Sequence, residues 1–258
     1  MSAEVAVVGY GLFVPELGSV AAWASGARDA AHAQPSGSLI KPRDRRRMSA
    51  LSKALADAYA EALTSAAFEP GRVASVFGSA LGEAATMIGL LDQMWSEASA
   101  LSPMRFVSSV HNAAAGVVSI ATENQGFTTS LGADYDTPAM ALVEGMGAVL
   151  ARDEPVIVCC GDEVVPGDLV PEALRWELLA AAVALAPVEA APPSSTRLAL
   201  SNEAPTLAPR DVSIALARNP CAGLLDLVDA LHRGQEGILR LDRGRGQGFA
   251  AALRAPAP

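Results

Sequence analysis

Short apolar runs and longer segments with one apolar face alternate along the first two thirds of the chain. Continuous apolar runs that end in glycine are typical of strands buried on both faces of a sheet, and they occur within residues 4–9, 72–83 and 154–164. Between them lie segments with helical periodicity, of which residues 48–66 form the longest. Because strands and helices alternate, the pattern predicts a layered α/β domain.

The last third of the chain has a weaker pattern. Residues 164–187 predict a polar loop and then a helix, or a helix followed by a strand. Residues 188–211 are rich in Pro, Ser and Thr, which is typical of a connector. Residues 212–258 predict one helix and two strands. We therefore expect a main domain over residues 1–187, a connector, and a short C-terminal αββ extension that packs on the same domain.

Composition and charge exclude several classes of function. The formal net charge is −9, whereas a nucleic-acid-binding protein usually presents a basic face to the phosphates. No apolar run reaches about 18 residues, so we expect no membrane span, and the N-terminus lacks the basic start of a signal peptide. The three cysteines have neither disulfide nor zinc spacing. We expect a cytoplasmic protein in a reduced state, without a metal or cofactor.

The glycine-rich segment VVGYGLFVPELG near the N-terminus partly matches a dinucleotide-binding fingerprint. Gly9 and Gly11 fit the first two glycines of G-x-G-x-x-G, but Val14 takes the third position. No clean second strand ending in an acidic residue follows at the required distance of about 20 residues. We therefore interpret the segment as a tight turn after a buried strand, without nucleotide binding.

Residues 130–151, SLGADYDTPAMALVEGMGAVLA, predict the end of a strand, a sharp turn and a buried helix of small residues. This geometry supports the nucleophile in many acyl-transfer enzymes. Pro138 lies where the helix would begin, but the turn before it offers Asp134, Tyr135 and Asp136. The sequence therefore predicts the strand, turn and helix that would hold a nucleophile, but the turn contains neither Cys nor Ser.

Several segments together resemble the N-terminal half of the β-ketoacyl-ACP synthases. VASVFGSALGE is similar to the family's strand ending in G-[ST]-x-x-G, and PVIVCCGDE is similar to its strand ending in G-x-E. SPMRFVSSVHNAAAGVVSIATENQG resembles the segment that precedes the family's nucleophile strand. The resemblance covers about residues 4–187. It implies a thiolase-like layered α/β/α domain, the N-terminal half of the ketosynthase fold with a short, replaced C-terminal part.

The same resemblance places Tyr135 where active synthases carry their nucleophilic Cys, nine positions after a glycine that corresponds to Gly126. The ungapped register also places Glu163 on the family's Glu. The family's two catalytic histidines and its Lys lie in a C-terminal half that is longer than the chain after residue 187. Condensation needs a thiolate to carry the acyl chain and imidazoles to stabilise the enolate. We therefore expect no catalysis by this chain alone.

Synthase-like proteins that lack the Cys are known as chain length factors, and the short form resembles those of aryl polyene and type II polyketide systems. The resemblance implies a heterodimer with a full-length β-ketoacyl-ACP synthase, an interface tunnel that limits elongation, and an acyl carrier protein as a further partner. It also implies that a strand from about Val117 to Leu131 faces the synthase. The implied residues are the gate candidates Leu81, Arg105 and Phe106, the interface candidates His111, Asn112 and Phe127, and the carrier-docking candidates Arg43, Arg45, Arg46 and Arg47.

Other interpretations stay open on the sequence alone. Leu81 and Phe106 could equally be ordinary core residues, and the arginine run could be a solvated loop. The chain could also be an independent homodimeric protein that binds acyl chains. A third possibility is an acyltransferase-like enzyme that uses Asp134, Tyr135 or Asp136.

Overall fold

The computed structural model describes residues 3–96, 101–167 and 169–256. Within those residues, one mixed sheet is built from the strands β1 (Val5–Phe13), β2 (Ala74–Gly78), β3 (Thr128–Leu131), β4 (Val156–Asp162), β5 (Leu179–Ala186), β6 (Thr196–Ser201), β7 (Gly237–Arg240) and β8 (Ala250–Arg254). The α-helices are α1 (Val20–Ser25), α2 (Pro42–Arg45), α3 (Ala50–Ser65), α4 (Ala84–Ser96), α5 (Pro103–Val107), α6 (Ala113–Ala121), α7 (Thr137–Arg152), α8 (Ile214–Ala217) and α9 (Ala222–His232).

The strands lie in the order β3-β2-β4-β5-β1-β6-β8-β7. β2 runs parallel to β3 and to β4, and the other pairings in this order are antiparallel. β2 and β4 are buried over their whole length and β1 over most of its length, as their continuous apolar runs predict. In the described part of the chain, β3 pairs with β2 alone, so it forms one edge of the sheet.

Helices cover both faces of the sheet. α3 and α6 pack on one face, in a core where the rings of Tyr59 and Phe77 stack with their centroids 5.9 Å apart. α7 and α9 pack on the opposite face, in a core that includes Leu142. Successive residues of β4 alternate between the two cores, because Val158 belongs to the second and Cys159 to the first. The predicted layered α/β/α architecture is therefore confirmed.

Gly9 and Gly11 lie inside β1, so the predicted turn at this segment is wrong. Helix α3 crosses β1 so closely that a Cβ atom on Gly11 would collide with the carbonyl oxygen of Ala58. Glu61 of the same helix accepts the N–H of Leu12 at 2.9 Å, which fixes the helix on the strand. The two glycines therefore allow a helix to pack closely on a strand.

The segment before the edge strand is helical rather than extended. We expect a strand from about Val117 to Leu131, but α6 continues to Ala121 and β3 begins at Thr128. Serine and threonine dominate what remains of the strand, and its residues are half-buried. The predicted strand is therefore wrong over its first part, and the remaining strand lies at the edge of the sheet.

The C-terminal third contributes more to the sheet than the sequence pattern predicts. Residues 164–187 contain a 3-10 turn at Glu172–Leu174 and then β5, so the predicted strand is present, whereas a single 3-10 turn stands in place of the predicted helix among the described residues. Residues 188–211 are more than a connector, because they contain β6, which pairs with β1. The last two strands, β7 and β8, join the same sheet beside β6. The C-terminal segment thus completes the sheet that the N-terminal strand begins.

Candidate functional site

The connection between β3 and α7 has the strand–turn–helix geometry that the sequence predicts. Asp134–Asp136 form a turn of 3-10 helix, and Asp134 has a left-handed backbone with a φ of 49°. Thr137 fixes this turn, because its hydroxyl donates to the carbonyl oxygen of Asp134 at 2.7 Å and accepts the N–H of Ala133 at 2.9 Å. Tyr135 lies half-buried in the middle of the turn.

In the described part of the chain, the group that faces the Tyr135 ring is a cation rather than a base. The guanidinium carbon of Arg245 lies 5.5 Å from the centroid of the Tyr135 ring. An Arg side chain stays protonated in proteins, so it cannot act as a base. The neighbouring Asp136 carboxylate accepts the backbone N–H of Gln247 at 2.9 Å. The phenol of Tyr135 therefore lies beside the cation of Arg245 and next to a carboxylate, that of Asp136, which already accepts a hydrogen bond.

Leu81 lies in the turn that follows β2, and its exposed fraction is 39 %. The carboxylate of Asp162, at the end of β4, fixes this turn. It accepts the N–H groups of Ala80 and Leu81, each at 3.0 Å, and the hydroxyl of Ser79 at 2.7 Å. The thiol of Cys221 donates to the same carboxylate at 3.1 Å. Leu81 is therefore a surface side chain on a rigid turn, and its interpretation as a core residue is wrong.

Arg105 and Phe106 lie on the short helix α5, and the Phe106 side chain is 58 % exposed, so it is not a core residue either. The Arg105 guanidinium donates to Gln93 at 3.0 Å, which links α5 to α4. Phe106 belongs to a larger set of exposed apolar side chains on α4, α5 and α6. We call this set the outer apolar face, and it consists of Met87, Leu91, Met94, Trp95, Met104, Phe106, Val107 and Ile120.

The three interface candidates occupy different positions around β3. His111 precedes α6, and its Nε2 atom lies 2.7 Å from the carbonyl oxygen of Ser79, so it connects this loop to the end of β2. Asn112 is exposed at the start of α6. Phe127 comes just before β3, and the guanidinium of Arg152 lies 4.3 Å from its ring centroid. The structure therefore places all three near the edge strand, and His111 and Asn112 line one surface cavity together with residues of β3.

The basic run divides at the end of α2. Arg46 and Arg47 line a surface cavity of about 690 Å³, whereas Arg43 and Arg45 lie outside its lining. Arg105 of α5 is a third arginine in that lining. The fold therefore brings together arginines from two segments that are far apart in sequence.

Two buried carboxyl groups lie where α3 and α4 begin. Glu163 also lines the arginine cavity; it accepts the N–H of Ala85 at 2.9 Å, and its burial and the nearby Glu83 raise its pKa to about 7. Glu83 accepts the hydroxyls of Ser49 at 2.9 Å and Ser52 at 2.6 Å, and burial raises its pKa as well. Glu83 is not among the candidate residues that the sequence singles out. The sequence does contain an indication of this residue, because Glu83 is an acidic residue at the end of the segment GSALGE, which directly follows a buried strand.

Fold and site together define the class as a thiolase-like protein related to the ketosynthases, with Tyr135 in the turn that follows the edge strand. The family model described as the N-terminal domain of β-ketoacyl synthases matches residues 20–245. The chain therefore belongs to this family, and the resemblance inferred from its sequence segments is confirmed.

Solved ketosynthase structures share this fold. A chain of the ketosynthase (ApeO) in complex with its chain length factor (ApeC) from Xenorhabdus doucetiae is 18 % identical, with a TM-score of 0.70 over 98 % of this chain and 99 % of that chain. The ishigamide ketosynthase/chain length factor is 16 % identical, with a TM-score of 0.64 over 76 % of this chain and 67 % of that chain.

A third similar structure contains a carrier protein. It is AntDE:AntF, a type II PKS acyl-carrier protein in complex with its ketosynthase bound to the hexaketide. The matched chain is 15 % identical, with a TM-score of 0.58 over 72 % of this chain and 64 % of that chain. A comparison with curated protein sequences found no significant match.

Two further observations concern membranes and metals. No helix among the described residues has both the length and the apolar character needed to cross a bilayer. Within residues 3–96, 101–167 and 169–256, no three His, Cys, Asp or Glu side chains come together in a group that could hold a metal ion. Cys159, Cys160 and Cys221 are free thiols, and all three are buried.

Proposed function

We propose that this chain is a non-catalytic chain length factor, which pairs in the cytoplasm with an active β-ketoacyl-ACP synthase and limits the length of an acyl or polyene chain. The outer apolar face, together with the open edge of β3, is the observation that carries the proposal. Membership of the β-ketoacyl synthase family supports it. The shared fold with chains from ketosynthase/chain length factor structures supports it as well.

The outer apolar face has the character of a protein–protein interface. Trp95 is 83 % exposed and Phe106 is 58 % exposed, and large aromatic side chains of this kind often anchor a partner. Helix α6 connects this face to β3, whose free edge offers backbone groups to a second chain. We assign His111, Asn112 and Phe127 to the same interface, because they flank β3.

Tyr135 supports a role without catalysis. A phenol cannot form the thioester that carries an acyl chain in the synthases, and the cation beside it is Arg245 rather than an imidazole. We therefore assign the condensation chemistry to the partner. We expect Tyr135→Cys, assayed alone with malonyl-ACP, to give no condensation product, and detectable product would refute the non-catalytic assignment.

Leu81, Arg105 and Phe106 are the proposed gate of the tunnel. The hydrogen bonds to Asp162 hold the backbone of the turn that carries Leu81 in place. A rigidly held side chain can stop a growing chain, because closely packed protein yields only at a cost in free energy. Arg105 and Phe106 lie on α5, which the hydrogen bond from Arg105 to Gln93 links to α4.

The arginine cavity is the proposed docking site for an acyl carrier protein. Arg46, Arg47 and Arg105 line it, on a chain whose net charge is −9, so they form a local basic region on an acidic protein. Guanidinium groups bind phosphate and carboxylate groups well because they donate two parallel hydrogen bonds. Arg43 and Arg45 would extend the attraction to an acidic carrier surface.

The test of the proposal is recovery of the tagged chain from its native host, with its partners identified by mass spectrometry. We expect a stoichiometric synthase that carries the Cys and both histidines. Trp95→Ser and Phe106→Ser should each weaken this recovery, because they remove apolar anchors from the outer apolar face. Leu150→Ser is the matched control, since Leu150 is also exposed but lies on α7.

Each outcome of this experiment has a defined meaning. Loss of the synthase in the two aromatic variants, with normal recovery in the control, supports the proposed interface. A stable homodimer that retains no synthase would instead favour an independent protein that binds acyl chains. Recovery of the chain as a monomer would refute both assignments.

A further inference from the structure

The loop Asp242–Gly248 follows β7 and lies over the turn that contains Tyr135. We call residues 242–248 the lid. The side chain of Arg245 faces the Tyr135 ring, and the backbone N–H of Gln247 donates to the two carboxylate oxygens of Asp136 at 2.9 and 3.2 Å. Gly246 lies so close to this carboxylate that a Cβ atom there would collide with Asp136 Oδ1.

The lid is folded around the buried carboxylate of Asp242. This carboxylate accepts three backbone N–H groups of the lid, those of Gly244 at 2.7 Å, Gly246 at 3.0 Å and Gly248 at 2.8 Å. Gly244 and Gly248 have φ values of 82° and 89°, which a side chain would disfavour. A loop held by three such bonds has a defined shape of its own.

A buried ion pair anchors the lid to the body of the domain. The guanidinium of Arg243 donates from Nε to Asp226 Oδ2 at 2.6 Å and from Nη2 to Asp226 Oδ1 at 2.5 Å. Asp226 lies on α9, and its side chain is almost completely buried. Bidentate pairs of this kind fix orientation as well as position.

Asp136 binds the lid with the carboxylate that would otherwise cap helix α7. It is the N-cap residue of α7, a position where an Asp side chain normally accepts a hydrogen bond from the first turn of the helix. Here it makes no such bond, because its carboxylate accepts from Gln247 instead. The contact with the lid therefore takes the place of the usual helix cap.

We propose that the lid is a closure that shields the turn at Tyr135 from acyl groups and other electrophiles. An acyl chain bound by this subunit would then have to lie elsewhere in the molecule. The proposal does not depend on the identity of the partner chain, because the contacts that carry it all lie within this chain.

The closure can be tested by the alkylation rate of a cysteine placed under the lid. The reporter is Tyr135→Cys, and the probe is iodoacetamide, with the modified residue located by peptide mass spectrometry. With the lid intact we expect slow alkylation of the reporter. Adding Gly246→Ala, or separately Asp136→Ala, should accelerate it at least about tenfold, because reactivity follows the population of the open state.

Two controls keep the result interpretable. Gly147→Ala introduces the same change on α7, where an added Cβ atom meets no neighbour, and it should leave the alkylation rate of the reporter unchanged. Alkylation of the native cysteines reports unfolding, because Cys159, Cys160 and Cys221 are buried. Fast alkylation of the reporter with the lid intact, or equal rates in all folded variants, would overturn the proposal.

Discussion

The buried carboxyl group of Glu163 should make the stability of the fold depend on pH in a predictable direction. Its ordinary pKa is 4.5, and burial, with a smaller contribution from Glu83, raises the pKa to about 7 in the folded chain. Between these two values the folded chain holds a proton that the unfolded chain has released. Stability therefore falls as pH rises from about 4.5 to about 7, and above that range the full penalty is present.

The magnitude follows from the gap between the two pKa values. Each pH unit in that gap corresponds to about 1.4 kcal/mol, so the penalty at pH 8 is at most about 3.5 kcal/mol. Glu163→Gln removes the ionisable group but keeps an oxygen that can accept the N–H of Ala85. We therefore expect this variant to resemble the wild type at pH 5 and to be more stable than it at pH 8 by up to about 3.5 kcal/mol.

Urea unfolding between pH 5 and pH 8 measures this difference. Tryptophan fluorescence is a suitable signal, because the buried Trp176 donates from its ring N–H to the carbonyl oxygen of Glu163 at 2.8 Å. The exposed Glu154 supplies the control variant, Glu154→Gln, which should follow the wild-type curve. Parallel pH profiles for Glu163→Gln and the wild type would show that the carboxyl group ionises freely and that the reasoning is wrong.

Three other predictions follow from the packing and the charges. In the assembled pair, Leu81→Ala should shift products toward longer chains, and an unchanged product profile removes Leu81 from the gate. Arg46→Gln should weaken carrier binding about fivefold, or ~1 kcal/mol, while Arg43→Gln, outside the cavity lining, should have a smaller effect in the same titration. Gly11→Ala should destabilise the fold by about 2–3 kcal/mol in urea unfolding, because its methyl group meets the Ala58 carbonyl oxygen; a normal midpoint would contradict this.

The elements that the sequence predicts well are those with a strong local signal. β1, β2 and β4 have continuous apolar runs, and α3 has long helical periodicity, so their burial follows from neighbouring residues alone. β6 lies in a segment rich in Pro and Ser and becomes a strand because β1 offers it a hydrogen-bonding edge. Such an edge is supplied by the tertiary fold and cannot be detected in a local pattern.

The candidate site also combines features with a local sequence signal and features that depend on contacts between distant residues. The turn at Tyr135 is predicted because Pro138 and the small-residue helix follow the strand directly in sequence. The segment DRGRGQG also has a clear turn signal, but its contact with Asp136 joins residues more than a hundred positions apart. The proximity of Glu83 to Glu163 is equally non-local, so neither the lid nor the raised pKa could be derived from spacing along the chain.

The position of β1 in the sheet has a consequence for how the chain folds during its synthesis on the ribosome. β1 pairs with β5 and β6, which are synthesised more than 160 residues after it. Until they emerge, both edges of this apolar strand lack their native partners, and such edges are prone to aggregate. Long-range pairing of this kind also slows folding. The nascent chain therefore depends on protection of β1 until β5 and β6 have been made.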